Sequence, residues 1–287
     1  MTVVTVLGAT SLIGHFLLPA LADKGYQVTA VSRNEGAGSP GISWMQHDIS
    51  RNPLTFTGNE TLISLAPIWV LGKMLHESDS APGRIIAFSS TSAVSKIDSP
   101  DPAERKTAEM LRLGETLLRD YAEKHGIGWT ILRPTMVYGA GLDKNVAVIA
   151  GFIERYRFFP LFGEACGKRS PVHAADLANA ALACLTQQTT ENALYALCGG
   201  DVISYREMVT RLFEALGRKQ RTVYIPLPVA RTAIRMAALL PQYRHLLPSM
   251  ADRTQQDLVF DSGDAIRDFN YSPRPFRPER ADLVRAD

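Results

Sequence analysis

The chain has 287 residues, is 46% hydrophobic and sets 31 basic against 29 acidic side chains, a formal net charge of +2. That length and apolar content suit one large α/β domain, or such a domain with a smaller lobe, and exclude a disordered chain. The charge is spread without a long basic run and no apolar run reaches the roughly 18 residues of a membrane span, so neither a nucleic acid nor a membrane is expected as a partner.

The three cysteines, Cys166, Cys184 and Cys198, have no C-x-x-C spacing. They read as reduced thiols of a cytoplasmic protein, with no metal role.

A β-branched run over residues 2–7 predicts a strand that ends in Gly8-Ala9-Thr10-Ser11-Leu12-Ile13-Gly14 and passes into an amphipathic helix closed by Gly25. Such a turn binds phosphate, because unpaired N–H groups and the positive end of the helix dipole face it. Gly8, Thr10, Ser11, Leu12, Ile13 and Gly14 are therefore the expected pyrophosphate contacts. A dinucleotide fingerprint has a third glycine where this chain has Ser11. Pro19 falls inside the helix and is expected to bend it.

A second strand over 26–31 ends in Ser32-Arg33. An acidic residue there would accept from the ribose hydroxyls of NAD, whereas a guanidinium suits a 2′-phosphate, so NADP is preferred over NAD. The alternative for Arg33 is a solvated loop cation. A third strand over 44–46 leads to His47, read as solvent-facing, and to Asp48 and Ile49, where the carboxylate would reach the adenine amino group. A fourth over 61–65 ends in Leu65-Ala66-Pro67 beside the cofactor path, and one short helix fits between Pro67 and Gly83.

Residues 84–88 form a near-continuous apolar strand, the pattern of a central parallel strand covered on both faces. It runs into Ser89-Ser90-Thr91-Ser92. Ligands of open α/β sheets sit beyond such carboxyl ends, which makes Ser89 a cofactor contact and Ser90 and Thr91 substrate contacts; the alternative is a self-capped polar turn. A long helix over 102–124 follows, with Glu104, Arg105, Glu109, Arg112, Glu115 and Arg119 assigned to its polar face. The strand over 129–132 is expected to end in a loop, Arg133 to Gly139, that brings Pro134 to the cofactor and Tyr138 to the substrate.

Beyond Asn145 a helix over 146–156 leads to Lys168 and Arg169, a loop where a substrate phosphate could be held, with a solvated pair as the alternative. Asp176 begins an alanine-rich helix. Further expected elements are strands over 194–197, 222–225 and 258–260, a helix from Ser204 to Leu216, a basic amphipathic helix over 229–240 read as packing on the lobe, and a short helix capped by Ser262 or Asp264. The βα alternation predicts a doubly wound parallel sheet, a Rossmann core over 1–144 with 171–200 returning to it, and a substrate lobe from 145–170 and 201–287.

Gly8-x-x-Ser11-x-x-Gly14, Ser89-Ser90-Thr91, Leu132-Arg133-Pro134-x-x-Val137-Tyr138-Gly139 and Val172-His173-x-x-Asp176-Leu177-Ala178 together resemble the extended short-chain dehydrogenase/reductases, the NAD-dependent epimerase/dehydratase group. The resemblance implies a Tyr-x-x-x-Lys pair for proton transfer, a hydroxyl at Thr91 holding the substrate oxygen, and a place for His173 beside the substrate. The pair is missing. Its positions fall at about Thr107 and Leu111, and no tyrosine of the chain has a lysine four residues on. Lys96, Lys106, Arg112 and Tyr138 are the candidate replacements.

Two functions follow. One is an atypical NAD(P)-dependent oxidoreductase or epimerase-like enzyme acting on a hydroxyl or carbonyl of a small or nucleotide-linked substrate, as a monomer or homodimer. The other is a non-catalytic dinucleotide sensor or scaffold.

Overall fold

A computed structural model of the chain describes residues 3–34, 36, 38–237 and 249–285. In chain order the first elements are β1 (Val3–Leu7), α1 (Leu12–Asp23), β2 (Gln27–Ser32), β3 (Ile42–Gln46), β4 (Thr61–Ser64), α2 (Ile68–Glu77), β5 (Arg84–Phe88), α3 (Ser92–Ser95), α4 (Pro102–His125) and β6 (Gly128–Pro134). Then come β7 (Val137–Tyr138), α5 (Val146–Tyr156), β8 (Phe159–Phe162), β9 (Lys168–Arg169), β10 (Val172–His173), α6 (Ala174–Thr186) and β11 (Ala193–Leu197). The last are β12 (Ile203–Ser204), α7 (Tyr205–Ala215), β13 (Thr222–Ile225), α8 (Leu227–Ala237), α9 (Ser249–Arg253), α10 (Gly263–Phe269) and α11 (Arg280–Leu283).

The chain divides into two compact units. The first holds residues 1–135, 174–197 and 261–272. Its seven-stranded sheet runs β11-β6-β5-β4-β1-β2-β3 with parallel pairings throughout. Read from its other edge this is the doubly wound order 3-2-1-4-5-6 with one strand added, so the order reverses between β1 and β4. Helix α1 packs with α6, and α2 with α4. Ile85, Ile86 and Ala87 of β5 are fully buried, as a strand covered on both faces requires. Each fully buried aliphatic side chain contributes about 1.5–3 kcal/mol.

Local signals set the helix ends. Asp101 caps α4 by accepting from the Ala103 N–H at 2.9 Å, Pro102 opens the helix, and Gly126 closes it in the left-handed conformation. Helix α1 continues through Pro19.

The second unit holds residues 136–173, 198–260 and 273–287 and contains three two-stranded sheets, β10-β7, β12-β9 and β13-β8. Its core gathers Tyr138, Ile149, Ile153, Leu161, Leu212, Phe213 and Phe276.

Several details differ from the sequence reading. Residues 136–144, 171–173 and 198–200, read with the sheet core, belong to the second unit, and residues 261–272, read with the lobe, belong to the first. Arg133 and Pro134 belong to β6 rather than to a loop. The strand expected over 258–260 is reduced to one bridge between Leu258 and Arg169, because only one residue finds a paired neighbour. Of the amphipathic helix expected over 229–240, residues 238–240 lie outside the described residues, as does Thr2 of the first strand.

Candidate functional site

The carboxyl ends of β1, β2 and β4 frame a cleft of about 360 Å³ at the sheet's reversal point, where open α/β sheets bind ligands. Gly8 forms its floor with φ +69°, and a Cβ there would stand 2.9 Å from the Ala66 nitrogen. Gly14 sits against the turn more tightly, since a Cβ would approach the Ala9 carbonyl oxygen to 2.1 Å. Both glycines are therefore steric requirements of the turn.

Ser11 explains its own presence. It caps α1 with φ −70° and ψ 165°, an extended conformation open to any residue, and its Oγ accepts from the Gly14 N–H at 3.2 Å. A side chain is tolerated because the backbone here is not left-handed.

At the end of β2, Ser32 is buried and central. Its hydroxyl donates to the Asn34 carbonyl at 2.7 Å, accepts from the Asn34 N–H at 3.0 Å and lies 3.3 Å from Thr10 Oγ1. Arg33 is exposed on the rim, its carbonyl held by Gln46 Nε2 at 3.0 Å. Asp48 Oδ1 accepts from Ser50 Oγ at 2.6 Å and Ser50 N at 3.0 Å. The Ser50 hydroxyl, helped by the Ser50 N–H and by Arg51, holds the Asp48 carboxyl below the usual carboxylate range. Ile49, Leu65, Ala66, Pro67 and Val70 supply the apolar wall.

The structure thus gathers Gly8, Thr10, Ser11, Ser32, Arg33, Asp48, Ile49, Leu65 and Ala66 around one cleft. Leu12, Ile13 and Gly14 stand behind it in the first turn of α1, and Ser89 and Pro134 lie at the ends of β5 and β6. His47, read as solvent-facing, is half-exposed and also lines the cleft, its Nε2 at 3.0 Å from the Asn52 carbonyl. Sequence reading missed Asn34, Ser50 and Val70. Ser50 was discoverable from the Asp-x-Ser spacing, which favours a side-chain turn.

Around Thr91 the geometry is tightly stapled. Its N–H and its hydroxyl both donate to the Pro134 carbonyl, each at 3.1 Å, and Thr91 is buried. Ser90 Oγ accepts from the Ser92 N–H. Thr107, at the expected tyrosine position, donates to Ala103 O at 2.9 Å, and Leu111 is part of the core between the sheet and α4. Lys96 is engaged by Glu104 at 3.4 Å, while Lys106 and Arg112 are exposed on α4. Glu115, assigned above to the polar face, is instead 2% exposed and holds Arg133, because it lies in the stripe of Ala108, Leu111, Leu118 and Ala122.

In the second unit, Tyr138 and His173 are both buried and meet edge to face at 5.1 Å. Arg169 is not in an exposed loop. It is 4% exposed, donates to the carbonyls of Lys168, Gln256 and Arg253, and stacks over Tyr205 at 5.7 Å. Burial, with Arg253 next, lowers its pKa, and burial pushes the Tyr205 phenol up to about 12. Its guanidinium is occupied in binding the 253–256 segment. Among the described residues no helix is long and apolar enough to cross a membrane, and no group of three His, Cys, Asp or Glu side chains is placed to hold a metal.

Residues 71–198 match the model of the NAD dependent epimerase/dehydratase family. The chain is 24% identical over 249 residues to the uncharacterized protein y4nG of Sinorhizobium fredii, a match covering 82% of this chain and 60% of that protein, so it spans less than two thirds of that relative's length. It is 26% identical over 292 residues to a (4-alkanoyl-5-oxo-2,5-dihydrofuran-3-yl)methyl phosphate reductase of Streptomyces griseus, covering 99% of this chain and 98% of the other. A UDP-glucuronic acid 4-epimerase from Bacillus cereus, solved in complex with NAD, superposes with a TM-score of 0.71 at 16% identity over 98% of this chain and 95% of that one.

Proposed function

We propose that the chain is a member of the NAD-dependent epimerase/dehydratase family, whose model matches residues 71–198, and that its sheet unit binds NAD(P), with NADP preferred. We further propose that it is an oxidoreductase acting on a carbonyl or hydroxyl of a small or nucleotide-linked substrate without the Tyr-x-x-x-Lys pair. The observation that carries this reading is the cleft over Gly8, whose close-packed glycines leave room for a pyrophosphate and whose rim carries Arg33. The end-to-end match to a reductase of a phosphate-bearing substrate supports reduction over epimerisation.

When bound, NAD(P) supplies hydride exchange at its nicotinamide ring. The chain's own residues do the rest. The turn from Gly8 to Gly14 and the amino end of α1 hold the pyrophosphate. Ser32 and Arg33 hold the adenosine ribose and its phosphate, Asp48 accepts from the adenine amino group, and Leu65 and Ala66 exclude water beside the path. Ser90 keeps a proton to donate to a substrate oxygen, Thr91, with its proton on Pro134 O, accepts from a substrate hydroxyl, and Tyr138, Arg169 and His173 shape the substrate lobe, Arg169 through the segment it binds.

The second reading, a dinucleotide sensor or scaffold, is favoured by one specific observation: Thr107 and Leu111 are committed to the helix and the core. Titrating the protein with NADPH and NADH, then following NADPH oxidation with aldehydes, ketones and sugar nucleotides, separates the two. Binding with turnover is the result expected. Tight binding with no turnover leaves the sensor, and no binding removes both.

A further inference from the structure

Glu115 is an oddity that the proposed function does not use. It occupies the apolar stripe of α4, one turn beyond Leu111, and is 2% exposed. Its Oε1 accepts from Arg133 Nε at 2.8 Å and from the Ser89 hydroxyl at 2.5 Å, while Oε2 accepts from Arg133 Nη2. Burying an ion pair is a poor route to stability, since well-packed apolar residues of similar volume do as well or better. What this pair supplies, and an apolar pair would not, is a serine hydroxyl with one fixed direction.

A hydroxyl has one proton and two lone pairs. With its proton spent on Glu115, Ser89 can only accept from anything outside. Its backbone is equally fixed, the Ser89 N–H donating to Leu132 O at 2.8 Å, and the residue stays partly exposed at the end of β5. Thr91, two residues on, likewise spends its proton inward on Pro134 O. Ser89 and Thr91 at the end of β5 thus offer acceptors, while the hydroxyl between them, Ser90, accepts from the Ser92 N–H and keeps its proton.

We propose that Glu115 is a positioning residue that makes Ser89 an obligate acceptor, and that this acceptor selects a ligand bearing an amide N–H, the carboxamide of a nicotinamide. The proposal rests on the dinucleotide reading above.

The test compares binding of NADP and of its acetylpyridine analogue, in which a methyl ketone replaces the amide, to the full chain by calorimetry. The native protein favours the amide by about 10-fold, the worth of one hydrogen bond. Ser89→Ala, which leaves the ion pair in place, brings the ratio to about 1. Glu115→Gln also brings the ratio toward 1, since an amide at that position can donate to Ser89 and free its proton for the carbonyl that both ligands carry. A residue that only held the fold together would lower the melting temperature and leave the ratio alone.

A native ratio near 1, or one unchanged in Ser89→Ala, overturns the proposal while the dinucleotide reading stands. A ratio lost in Ser89→Ala but kept in folded Glu115→Gln overturns the role of Glu115. Failure of both dinucleotides to bind the native chain overturns the dinucleotide reading and this proposal with it.

Discussion

His173 Nε2 lies 3.0 Å from Asp282 Oδ1, joining two buried or half-buried groups 109 residues apart in the chain. The same aspartate closes a capping box on α11 by accepting from the Glu279 N–H at 2.9 Å, and its carbonyl accepts from the Gly141 N–H at 2.8 Å. The pair therefore binds the carboxyl-terminal helix of the second unit to β10 and to the loop after Tyr138. A double-mutant cycle of His173→Ala and Asp282→Ala is expected to give a coupling of about 1.5–3 kcal/mol, the range of hydrogen bonds to charged groups. Urea unfolding measures it, and additive losses would show that the two side chains do not act together.

That pair marks the limit of what sequence carries. His173 was legible from Val172-His173-x-x-Asp176, but Asp282 was not, because no local spacing ties residues so far apart. The same holds for Glu115: helical periodicity puts it in the buried stripe, yet only the arrival of Arg133 and Ser89 from neighbouring strand ends explains a carboxylate there. Arg169 was read as available for a phosphate because its three carbonyl partners come from distant or unpatterned backbone. By contrast the glycine turn, the βα alternation through β6 and the ends of α4 and α5 rest on local signals, which is why those were readable.

Gly14→Ala tests the turn directly. The added Cβ has to displace the Ala9 carbonyl, 2.1 Å away, so the substitution is expected to cost about 1–3 kcal/mol and to abolish dinucleotide binding. Gly151→Ala is the control. Nothing stands within 4 Å of a Cβ there, on the exposed side of α5, and the change should stabilise the protein by about 0.5–1 kcal/mol through helix propensity. Thermal melts with and without NADPH decide it; a Gly14→Ala protein that binds normally would refute the close-packed turn.

Glu154 sets an acid limit. Arg218 donates to it at 2.8 Å and Arg280 at 2.7 Å, and these bonds, Arg218 first, hold its carboxyl below the ordinary value against the opposing effect of burial. A carboxyl lowered by folding adds stability above its unfolded pKa of about 4.3 and loses it as pH falls through the lowered folded value. Glu154→Gln should therefore have a lower urea midpoint than the native chain near neutral pH, with the gap closing below about pH 4. A gap of equal size in acid would mean that packing, not charge, accounts for the difference.

Arg33→Ala bears on the choice of cofactor. Arg33 is exposed at the cleft rim, where its charge attracts the neighbouring Asp48 carboxylate, which itself accepts from Ser50 and pairs with Arg51 at 3.5 Å. Loss of a charge-assisted contact to a 2′-phosphate should weaken NADPH by about 10- to 100-fold, or about 1.4–2.8 kcal/mol, and leave NADH within about 2-fold. Arg33→Lys should retain part of the preference, since an ammonium keeps the charge but not the planar fork. Raising the salt concentration should erode NADPH binding in the native chain more than in Arg33→Ala, because the lost contact is the screened one. Competitive titration of both dinucleotides against each variant measures all three effects. Equal weakening of NADPH and NADH in Arg33→Ala would show that this arginine does not read the 2′-phosphate.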